Sequence, residues 1–74
     1  MIAMLTNREA LAEAEVKLGR ALRGLDAAIL SETECRDRGD LVTAQVWAAS
    51  ASRIRREVLP GAEAQVEVLR SMCR

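Results

Sequence analysis

The chain has no histidine, no phenylalanine and no tyrosine, and it holds a single tryptophan, Trp47, and a single proline, Pro60. Each absence excludes something. Without histidine there is no imidazole base and no usual zinc ligand, and two cysteines alone cannot complete a tetrahedral site. No nucleophile elbow and no phosphate-binding loop occurs, and paired carboxylates fall only at solvent-facing helical positions. An enzyme is therefore not expected, nor a metal or other cofactor. Aromatic residues interleaved with basic ones, the usual mark of a nucleic-acid surface, are missing. Lysine is nearly missing too: Lys17 is the only one beside ten arginines. Arginine suits ion pairs and interfaces better.

Charge of one sign is also lacking. Eleven basic residues meet eleven acidic ones, so the formal net charge is zero. General attraction to DNA or to an acidic membrane gains no support. The longest uncharged run, between Asp40 and Arg53, is too short to cross a bilayer. Met1–Leu5 carries no basic region and no sustained apolar stretch, so no signal peptide is expected. The cytoplasm is then the predicted compartment, with Cys35 and Cys73 as free thiols.

What is present is a pattern. Ala14, Ala21, Ala28 and Cys35 recur every seven residues, and Leu11, Leu18 and Leu25 recur three positions earlier. On a helix the two columns share one face. Small residues beside leucines let another helix approach closely. In this column Cys35 acts as a small buried apolar group.

The sequence predicts an all-α fold, one domain over residues 1–74. Thr6 and Glu9 read as a capping box, with Glu9 reaching back to the Thr6 amide. A first helix over about residues 7–38 follows, laced by the pairs Glu13–Lys17, Glu32–Arg36 and Glu34–Arg38. Gly39 fits the left-handed stop and Asp40 the cap of a second helix. So short a connection implies a long antiparallel hairpin. Facing residue numbers then sum to about 79, which sets Ala28 against Ala51, Leu25 against Ile54, Ala21 against Val58 and Asp26 against Arg53. The second helix covers about residues 41–73, kinked or broken at Pro60. Of the two outcomes, a kinked continuation is expected over a folded-back third helix. Only the latter would bring Cys35 near Cys73.

Half the chain is hydrophobic, but alanine supplies much of that half. So thin a filling calls for an oligomer or a larger partner, and two hairpins pairing into a four-helix arrangement is the expectation. A second stripe on the first helix, Ala12, Val16, Gly19, Arg23, Ala27 and Leu30, lies opposite the leucine–alanine face. It is the candidate dimer or partner interface, with Trp47 as a candidate anchor; the plainer reading is ordinary surface residues and half-buried packing for Trp47. Arg20, Arg23, Arg53, Arg55 and Arg56 form a candidate site for an anion or an acidic partner; the plainer reading is a solvated face.

The function expected is a small non-enzymatic adaptor or inhibitor that occupies the surface of another protein. Stand-alone helical proteins of this size are common among phage and mobile-element accessory products, which would place the work in a host cytoplasm. The alternatives are a nucleic-acid-binding regulator that uses the arginines and a structural subunit of a helical assembly.

Overall fold

The computed structural model describes residues 6–73. Every regular element among them is helical: α1 (Asn7–Asp37), α2 (Leu41–Arg53) and α3 (Leu59–Met72), with a five-residue wide turn, Ile54–Val58, joining the last two. The fold is all-α.

The start of α1 follows from Thr6. Its backbone is extended, and its hydroxyl accepts the Glu9 amide at 3.2 Å. The same hydroxyl donates to Glu9 Oε1 at 3.0 Å. The Glu9 carboxylate thus reaches back to the Thr6 residue through its hydroxyl. Of the three predicted intrahelical pairs, Glu32–Arg36 closes, at 2.9 Å. Arg38 turns instead to the Cys35 sulfur at 3.6 Å.

Gly39 ends α1 with φ of 79°, the only positive φ among the described residues. Its amide donates to the Arg36 carbonyl at 3.0 Å, and the Asp40 amide to the Cys35 carbonyl at 2.8 Å. These two bonds form the Schellman arrangement, which a glycine adopts without steric cost. Asp40 then caps α2, its Oδ1 accepting the Thr43 amide at 3.1 Å. The Thr43 hydroxyl and amide, with Arg38 alongside, hold the Asp40 carboxyl below the usual carboxylate range.

α1 packs against α2, the wide turn and α3. Gly24 lies against Ile54, whose Cδ1 is 3.7 Å from where a glycine Cβ would stand. Farther along, Arg70 reaches Glu15 at 3.8 Å. The buried residues form two columns: Ala14, Ala28 and Cys35 on one side, and Ala44, Ala51, Leu59 and Val66 on the other. Small side chains fill most of this interior. Leu11, Leu18 and Leu25 are only half-buried. The alanine ladder occupies the contact and the leucine ladder lies along its rim.

Pro60 does not end the second helical segment. Leu59 keeps helical angles (φ −60°, ψ −47°) and its amide bonds the Ile54 carbonyl five residues back. A proline has no amide to donate and its ring crowds the carbonyl four residues earlier. Widening one turn relieves both problems and accommodates one extra residue. The buried column accordingly steps from Ala51 to Leu59, eight residues, instead of seven. Leu59 is 8 % exposed and Val58 44 %, so Leu59 takes the interior place predicted for Val58 opposite Ala21.

Candidate functional site

The outer stripe of α1 is open. Val16 is 51 % exposed and Leu30 60 %, and Ala12 and Ala27 are exposed between and beside them. Ala12 and Val16 line a shallow groove with Glu13, Lys17 and Arg20, so its apolar floor is edged by charges of both signs. Gly19 is half-buried, and the Arg23 guanidinium folds back to 3.4 Å from its absent Cβ. The glycine therefore gives Arg23 a place to lie along the helix. No other chain segment crowds that position.

Among the candidate arginines, Arg20 lines the groove beside Ala12 and Val16, and Arg23 belongs to the α1 stripe. Arg53 lines a shallow groove on α2 with Val46, Ala49 and Ser50. Arg55 and Arg56 are exposed in the wide turn. The expected Asp26–Arg53 pair does not form. Arg53 shares the exposed side of α2 with Val46, and the close ion pairs among the described residues are Glu32–Arg36 and Glu15–Arg70. Trp47 stands partly exposed on α2. Cys35 is buried, Cys73 half-buried, and both are free.

Sequence reading passed over an outer stripe on the second helical segment. Val42 and Val46 are both exposed on α2, and Ala49 continues their row. On α3, Ala64, Val68 and Met72 line a similar groove with Glu67 and Ser71. The signal was available: residues 42, 46 and 49, and then 64, 68 and 72, have the spacing of one helical side. It was masked because valine and alanine also populate interiors.

No three Cys, Asp or Glu side chains gather as a metal site among the described residues, and no helix is long and apolar enough to cross a membrane. The chemistry on offer is that of shape and apolar contact with charged edges. Compared with protein-family models, curated proteins and solved structures, the chain matches none.

Proposed function

We propose that this chain is a non-enzymatic protein-binding module: an antiparallel helical hairpin that associates with a second copy and docks on a larger protein as an adaptor or inhibitor, by covering part of its surface. The Gly24–Ile54 and Glu15–Arg70 contacts support the hairpin, because residue numbers fall along one segment as they rise along the other. The observation that carries the binding reading is the exposed α1 stripe around Val16 and Leu30. A helix with apolar residues on both of its sides is usually covered on both, and that supports reading this row as an interaction surface. We place its work in the cytoplasm, that of a host if the chain is a phage product.

Affinity capture from the native cell, with Val16→Glu as control, tests this. One stoichiometric protein retained by the wild type and lost by the variant is the expected result. Retention of nucleic acid that modest salt releases would overturn it in favour of a regulator using the arginines.

A further inference from the structure

Each member of the α1 alanine column, buried at Ala14, Ala28 and Cys35 and half-buried at Ala21, is followed by one residue that stands about 100° further round the helix. For Ala14, Ala21, Ala28 and Cys35 these are Glu15, Leu22, Ile29 and Arg36. All four are exposed; Leu22 is 44 % and Ile29 38 % accessible, large for residues flanking a packed seam. The half-buried Leu18 and Leu25 lie between this row and the alanines. The row has an acid at one end, a base at the other and two large aliphatic side chains between them.

That order is self-complementary only in reverse. When two copies of α1 lie antiparallel, Leu22 meets the partner's Ile29 and Glu15 meets the partner's Arg36, and twofold symmetry makes each contact twice. Laid parallel, like charges would oppose one another. Arg36 is free to reach across: its Nε is engaged by Glu32, which leaves the terminal amino groups for a second carboxylate. We propose that two copies of this chain associate antiparallel through the row Glu15–Leu22–Ile29–Arg36, leaving the Val16–Leu30 stripe open for another partner.

Shape and area support a second copy. The molecule measures 53 × 25 × 15 Å, two helices wide and only one deep. Domains are built from at least two packed layers, and a second copy would supply the missing one. The accessible surface is 5775 Å². A compact monomer of this mass would expose about 4,500 Å². The excess exceeds the ~800 Å² that each partner contributes to a stable interface.

This proposal rests on the reading that the chain self-associates, and sedimentation equilibrium with circular dichroism tests the two separately. The wild type is expected at twice 8.1 kDa in the micromolar range. Leu22→Glu/Ile29→Glu should sediment as a helical monomer, and Val16→Glu should remain a dimer. Glu15→Arg alone should weaken the dimer by about tenfold, since it replaces two attractions by two repulsions. Adding Arg36→Glu should restore it. That recovery is diagnostic, because the double exchange leaves Arg70 and Glu32 beside like charges within the chain, so only a contact between copies can produce it. A wild type that stays monomeric would overturn both readings. A dimer that survives Leu22→Glu/Ile29→Glu, that Val16→Glu abolishes, or that the double exchange fails to restore would overturn this interface and leave self-association standing.

Discussion

Three glycines and an aspartate carry separable consequences. Among the described residues Gly39 alone has a positive φ, and there a side chain meets backbone strain whatever space surrounds it. Gly39→Ala should cost about 1–2 kcal/mol, read from denaturant unfolding. Gly24 and Gly19 are ordinary helical positions: Gly24 has room for a Cβ, and at Gly19 only the flexible end of Arg23 must give way. Alanine at either should add about 1 kcal/mol through helix propensity and raise the thermal midpoint by several degrees. The two then part company. Gly24→Ala should be silent in binding, whereas Gly19→Ala, which displaces Arg23 on the outer stripe, should stabilise the chain and weaken partner capture. Asp40 gives the pH signature. Its carboxyl titrates below the usual range in the folded state, so its capping contribution is complete above the unfolded value of about 3.9 and fades as pH falls through the lower folded value. The difference in midpoint between the wild type and Asp40→Ala should hold steady from neutral pH to about 5 and shrink in stronger acid. A difference that grew on acidification would contradict the cap.

At the scale of elements, what the sequence revealed depended on whether one residue or a sum of forces decided the outcome. Gly39 and Asp40 each have a single conformational reason for being there, and the turn they make is the one their chemistry predicts. Pro60 gave a choice between break and continuation, and the answer lies in spacing: the buried side runs on through Leu59 and Val66, eight and fifteen residues beyond Ala51, one extra residue past the heptad count. The wide turn absorbs it, which a strict heptad count from Ala51 could not anticipate. The same limit applies to the leucines, which are half-buried. Periodicity groups Leu11, Leu18 and Leu25 with the alanines on one side of α1. It does not say which of two adjacent columns makes the contact, and the smaller one does. The candidate stripe of α1 was legible as a pattern, but the equivalent rows on α2 and α3 emerged only once exposure was known. The register gives a direct prediction for Pro60→Ala. The extra residue remains, so the wide turn should persist, with stability within about 1 kcal/mol of wild type. Backbone chemical shifts over residues 54–59 check this, and a regular α-helix there, with Val58 buried in place of Leu59, would show that proline and not register makes the turn.

For the whole molecule, the governing fact is that its interior is built mainly from alanine, while apart from Leu59 and Val66 the leucine, isoleucine and valine side chains lie at the rim and outside. Alanine columns let helices lie close, but each buries little apolar area, and burial scales with area. A single copy leaves apolar area exposed on distinct sides: the Leu22–Ile29 row, the Val16–Leu30 stripe and the Val42–Val46 row. Closing one of them with a second copy would leave others for a further protein, which is how a chain this short could both fold and bind. Linkage makes the idea measurable without knowing any partner. If folding is coupled to pairing, mass action raises the thermal midpoint with protein concentration. The wild type should show that rise, and Leu22→Glu/Ile29→Glu should melt earlier with a midpoint independent of concentration. Val16→Glu should keep the wild-type concentration dependence, because its site belongs to the other surface. A wild-type midpoint that stayed constant across dilution would mean that the alanine interior suffices alone, and the exposed rows would then need a purpose other than completing the fold.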